Sequence, residues 1–204
     1  MAISASVLVV RLNRWWSVAP VAGLGVGVLT NLAQGWLPGA WNQIANSGAV
    51  WCVPAFVAGA LTARRPAVAG LCTTLGLVVG YYAYAEFGRD GMGALTAPLL
   101  WLVMAVISGP LFGIAGDWWR RGRSEWRRVV GLAALAGVFG MEAALYAWTL
   151  HYATQAWACV AMLVLLPLLM GRRHRERGLA LLTAVVLSSV AYAVIELPLQ
   201  HVAG

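Results

Sequence analysis

The sequence contains no lysine: all 14 of its basic residues are arginine. It is also short of charge of either sign. Only 10% of its 204 residues are charged, against about 25% in a soluble domain. That scarcity excludes an ordinary water-soluble fold. The three cysteines, Cys52, Cys72 and Cys159, fall inside apolar stretches with no CxxC spacing, so they read as small packing residues. No metal-ligating motif, phosphate-binding glycine loop or nucleophile motif is present, which predicts a chain without metal or cofactor.

What is present is hydrophobicity, at 61% of residues. A membrane-spanning helix needs about 20 mostly apolar residues. Seven such stretches use nearly the whole chain, at about 16–36, 45–63, 67–87, 92–116, 128–149, 152–170 and 178–200. The sequence therefore predicts an all-α integral membrane protein of one domain. The apolar run Ile3–Val10 before the first span is too short to cross, and its arginines follow it instead of preceding it, unlike a secretory signal.

The arginines test this count. Arg11, Arg14, Arg64, Arg65, the group Arg120–Arg128 and the group Arg172–Arg177 fall on alternate connections, so 13 of 14 lie on one side and only Arg89 lies on the other. By the positive-inside rule the arginine-rich side is cytoplasmic, which puts the N-terminus in the cytoplasm and the C-terminus outside. The formal charge of +7 thus reads as a topology signal, not as a nucleic-acid surface. Trp15, Trp16, Trp118, Trp119 and Trp126 mark the inner interface, and Trp36, Trp41 and Trp148 the outer one. Gly-Leu pairs at 23, 70, 131 and 178, each followed eleven residues later by Gln34, Tyr81, Glu142 or Ser189, are compatible with a weak 3+1+3 repeat.

Polar residues within the spans concentrate in the outer half. They include Asn31, Gln34, Tyr81, Tyr82, Glu86, Asp90, Glu142, Tyr146, Tyr192 and Glu196. A carboxyl facing lipid is costly, so such groups face the bundle interior or a water-filled cavity. The pattern predicts one outward-opening pocket lined by Asn31, Gln34, Trp51, Tyr81, Tyr82, Trp101, Tyr146, Trp157 and Tyr192. Glu142 lies about 21 Å up its helix from Arg128, and its simplest structural role is a hydrogen bond to Gln34 or Ser189. Its candidate chemical role is acid catalysis with Glu196, with Glu86 and Asp90 as alternates. An acid kept dry among aromatic faces can protonate an alkene or epoxide and shelter the resulting cation.

In length, span number, absence of an aspartate-rich motif and an acid in the last span (Glu196), the chain resembles the small seven-helix membrane terpene cyclases of fungal meroterpenoid and actinobacterial indole-sesquiterpenoid pathways. That resemblance implies a lipophilic prenylated substrate taken from membrane lipid. The second acid of that family, in an early span, has no counterpart here. Asn31–Trp51 and Tyr81–Gly93 also resemble uncharacterised actinobacterial membrane proteins, which implies no activity. The same outer constellation suits a substrate-capture or small-molecule transport protein, and a helix-stabilising role remains the third reading.

Overall fold

The computed structural model describes residues 15–89 and 91–196. All regular structure among them is helical. Helix α1 is Trp15–Trp36. A 3-10 turn at Gly39–Trp41 leads into the short α2, Asn42–Ala45, and then α3, Gly48–Leu61. Helix α4 is Pro66–Gly88, α5 is Thr96–Arg121, and α6 is Glu125–Ala144, prolonged by a π turn at Leu145–Thr149. Helix α7 is Ala153–Met170, and α8 is His174–Ala191, prolonged by a π turn at Tyr192–Glu196. Seven helices, counting α2 and α3 as one, are long and apolar enough to cross a membrane.

Local chemistry sets these boundaries. Ser47 caps α3 by accepting the Val50 amide at 3.2 Å, and Ser124 caps α6 by accepting that of Arg127 at 3.4 Å. Pro66 stands at the start of α4, where its missing N–H costs nothing. The second span is broken, because Asn46 and Ser47 interrupt the helix between α2 and α3. The Trp51 indole bridges the break, donating to the Ala45 carbonyl at 3.2 Å. The fourth span departs most from its expected range. It begins at Thr96 because Gly91 and Gly93 take φ of 103° and 73°, which a helix cannot use. It continues to Arg121, helped by the Asp117–Arg121 pair one turn apart at 2.6 Å.

Glycines bring the helices into backbone contact. A Cβ at Gly23 would overlap the Thr73 carbonyl, and one at Gly76 that of Pro20, so α1 and α4 lie backbone against backbone. Gly59 and Gly113 do the same for α3 and α5, and Gly131 meets Ala115 between α6 and α5. Helix α6 is the hub, with Leu132, Ala133 and Ala136 fully buried. It packs on α5, α7 and α8. The bundle surface is apolar, with Leu100, Leu111, Val186 and Leu182 exposed. That surface fits a multi-pass membrane protein.

The arginines at one end of the bundle also bond its backbone. Arg121 donates to the carbonyls of Gly59, Ala60 and Thr62, satisfying the open C-terminus of α3. Arg172 does the same for Trp119 and Arg120 at the end of α5. Trp118 and Trp119 are not simply interfacial. Trp119 packs on Phe56 at 5.6 Å and donates to Met170.

Candidate functional site

Glu142 is 6% exposed, 17 residues into α6, which is about 25 Å from its start at Glu125. Its partners are not Gln34 or Ser189. Glu142 Oε2 accepts the Ser47 hydroxyl in a short contact, and Oε1 accepts the Ala49 amide at 2.9 Å. The carboxyl therefore sits over the first turn of α3, where free amides and the helix dipole favour an acceptor. The break before α3 makes this reach feasible, because it starts a new helix at Gly48, inside the span that opens at Asn42, and so leaves free amides beside Glu142. Gly48 lies between the two donors, and a Cβ there would come within 3.3 Å of Glu142 Oε1.

Glu142 lines one end of a cavity of about 740 Å³, within the range of about 300–1,000 Å³ for small-molecule sites. Trp51 and Trp101, with centroids 4.8 Å apart, stand beside it. The cavity is bounded by α3, α4, α5, α6 and α8 and is almost wholly apolar. Its other polar side chains are few. Thr74 spends its hydroxyl on the Ala105 carbonyl, and Ser108 faces the cavity from α5. The cavity runs along α6 from Glu142 to Gly131, ending at Trp118. Its rim carries Ile107, Leu111, Val190 and Val194, each more than half exposed on the apolar flank between α5 and α8. The expected outward-opening polar pocket is thus replaced by an apolar cavity that opens sideways.

The remaining expected residues divide among three other places. Asn31, Gln34, Tyr81 and Tyr82 form a cluster between α1 and α4. Asn31 donates to the Tyr81 carbonyl at 3.0 Å, and Tyr81 donates its hydroxyl to Gln34 at 2.5 Å. None of the four lines the cavity, although Tyr81 packs on Trp51 at 5.1 Å and backs the tryptophan wall. Arg89 closes this cluster, donating to the Asn31 carbonyl at 2.7 Å. Glu86 is exposed and accepts the Met92 amide at 3.0 Å, holding the glycine loop; it pairs with neither Arg89 nor the cavity.

Tyr146 is buried in the core with Phe139, Ala156 and Cys159, turned away from the cavity. Tyr192 packs on Trp148 at 5.8 Å and lies 3.3 Å from the Thr149 hydroxyl. Trp157 is 72% exposed and flanks a second hollow of about 520 Å³ with Trp148 and His151. Asp90 lies outside the described residues. Glu196 is placed on the last turn of α8, and its side chain lies outside them.

Two participants are new. Ser47 reads from sequence as a loop residue, yet it is 3% exposed and bonded to the acid. Glu176 was hidden in the arginine-rich connection but is 1% exposed and paired with Arg128 at 3.5 Å. The signal for it was a lone acid among four arginines at a helix start.

A model of the family described as "Family of unknown function (DUF6518)" matches residues 10–201, so the chain belongs to that family. No curated protein and no solved structure matches the chain.

Proposed function

We propose that this member of the family is a multi-pass membrane enzyme, a terpene cyclase in which Glu142 protonates an alkene or epoxide of a prenylated lipophilic substrate. The observation that carries this reading is the Glu142 carboxyl at the end of a large apolar cavity, beside the Trp51 and Trp101 rings. The sideways rim suits a substrate that arrives from lipid. In this reading the arginine-rich end faces the cytoplasm, following the positive-inside rule.

The chemistry needs no second reactant. The alkene π electrons take the proton from Glu142, forming a C–H bond and leaving a carbocation. A neighbouring alkene closes onto the cation, forming a C–C bond. Loss of a proton from the cyclised cation back to the Glu142 carboxylate restores the acid, so the product is an isomer of the substrate. Ser47 and Ala49 donate to the carboxyl oxygens and stabilise the carboxylate left when the proton departs. The indoles stabilise the cation through their faces. The dry walls exclude the water that would quench it. Glu196, on the turn of α8 beyond Val194, is retained as a second carboxyl.

The test is turnover of a prenylated substrate by the protein in membranes. Glu142→Gln keeps the shape and an acceptor for Ala49 but has no acidic proton. Turnover should fall by at least about 100-fold, the scale of one general acid. Full-rate cyclisation by this variant sinks the proposal.

A second reading, capture or transport of a lipophilic ligand, is favoured by one observation: both Glu142 oxygens are already engaged with α3. It predicts binding without isomerisation by the wild-type protein.

A further inference from the structure

The cavity has two unlike ends: Glu142 lines one, and a cation lies just beyond the aromatic ring that closes the other. Trp118 closes the end remote from Glu142, and the Arg127 guanidinium lies 5.9 Å from the centre of its ring. Arg127 is exposed, and among the described residues its guanidinium makes no ion pair or hydrogen bond. Of the other arginines in the groups 120–128 and 172–177, Arg120, Arg123 and Arg173 likewise have no ion pair or side-chain hydrogen bond among the described residues, but only Arg127 is stacked on a residue that lines the cavity, and the remaining five are committed. Arg121, Arg128, Arg172 and Arg177 donate to backbone carbonyls, and Arg175 pairs with Glu125 at 2.9 Å. The three carboxylates at this end, Asp117, Glu125 and Glu176, each already face an arginine. A free guanidinium therefore stands at the foot of an apolar channel, in surroundings of net positive charge.

The distance between the ends adds a constraint. Gly131 and Glu142 both line the cavity and lie eleven residues apart on α6, about 17 Å along the axis. Arg127 lies four residues beyond Gly131, about 22 Å along the axis from Glu142, a span suited to an extended chain of several isoprene units with its head at the arginine side chain. The cavity walls offer a polar group able to react at one end and almost nothing polar beyond it, and a cation stands outside the other end, past Trp118.

We infer that the ligand is a single-chain isoprenyl phosphate ester, lying along the cavity with its phosphate at Arg127 and its far alkene at Glu142. The inference rests on the cyclase reading for the identity of the chain, but the polarity of binding stands on the two ends alone. Arginine suits a phosphate because its donors are planar and paired. Such a ligand would be protonated at the alkene farthest from its head, and its phosphate ester would stay intact through the reaction.

The experiment measures equilibrium binding of radiolabelled farnesyl phosphate and farnesol to the full chain in zwitterionic nanodiscs. Wild-type protein should bind farnesyl phosphate about tenfold or more tightly than farnesol, the scale of one charge-assisted contact. Raising the salt concentration should narrow that difference. Arg127→Gln should bring the two ligands within about twofold, Arg127→Lys should restore part of the preference, and Glu142→Gln should leave it intact. Equal affinities in the wild type overturn the inference without need of any variant, as does an unchanged preference in Arg127→Gln. Competition by phosphatidylglycerol as strong as that by farnesyl phosphate assigns the cation to bilayer lipid and overturns the isoprenyl assignment. A kept preference with no isomer formed overturns the cyclase reading and leaves this binding site standing.

Discussion

Ser47 donates its hydroxyl to Glu142, joining the N-cap of α3 to the last turn of α6 across 95 residues of sequence. The same hydroxyl oxygen accepts the Val50 amide, so it caps a helix and positions an acid at once. Ser47→Ala should cost about 1–2 kcal/mol through loss of the cap and of the buried bond. It should also lower turnover without abolishing it, because Ala49 still holds Oε1. Thermal unfolding in detergent and a turnover assay on the same sample measure both. Unchanged stability would contradict the hydrogen-bonded cap.

Glu142→Leu should be worse folded than Glu142→Gln. Leucine leaves both the Ser47 hydroxyl and the Ala49 amide without an acceptor in a buried place, at about 1–3 kcal/mol for each unpaired group. Glutamine keeps one carbonyl oxygen for Ala49. The difference in melting temperature between the two variants reports the structural share of Glu142, apart from any chemical role. Equal melting temperatures would show that the carboxyl is not needed to hold α3.

The glycines separate by what surrounds them. Gly23→Val should force α1 from α4, because its Cβ would overlap the Thr73 carbonyl, and overpacking of this kind costs about 1–3 kcal/mol or more. Gly178 meets nothing within 4 Å, so Gly178→Ala should be neutral or stabilising by up to about 1 kcal/mol. Denaturation of both variants side by side decides whether backbone contact or helix propensity governs.

The contrast between these glycines marks the limit of what the sequence reveals. The number of long apolar helices was legible, because hydrophobic length follows directly from the cost of burying charge. Glu142 stood out for the same reason. Its azimuth did not, so Tyr146, one turn away, was expected in the cavity but packs into the core on another side of α6. Its partners were hidden because Ser47 becomes a helix cap only once the second span is broken. Asn31, Gln34 and Tyr81 come together near the same end of α1 and α4, yet their hydrogen bonds to one another close α1 onto α4 instead of lining a pocket. Glu176 lies among arginines, and only the packing of α8 on α6 buries it.

The proposed orientation can be read by chemical labelling. Phe87, 89% exposed beside the arginine-poor loop, and Arg173, exposed at the start of α8, lie at opposite ends of the bundle. With an impermeant maleimide on intact cells, Phe87→Cys should label, and Arg173→Cys should label only after permeabilisation. The reverse pattern would invert the topology.

Arg128 and Glu176 couple α6 to α8 beneath the cavity. Glu176 is 1% exposed and the Arg128 side chain 17%, so removing either charge strands the other in a poorly hydrated place. Breaking a fully buried pair costs about 3–5 kcal/mol; with Arg128 partly exposed, about 2–3 kcal/mol is expected for Glu176→Leu. Arg128 keeps a second anchor in the Gly122 carbonyl at 3.1 Å, which limits how far it can relax. The double variant Arg128→Leu, Glu176→Leu should recover part of that loss, with a coupling of about 1–2 kcal/mol, since no stranded charge remains. Chemical denaturation of the two single variants and the double gives the coupling directly. If the losses simply add, the two residues do not act as a pair and the clasp between α6 and α8 lies elsewhere.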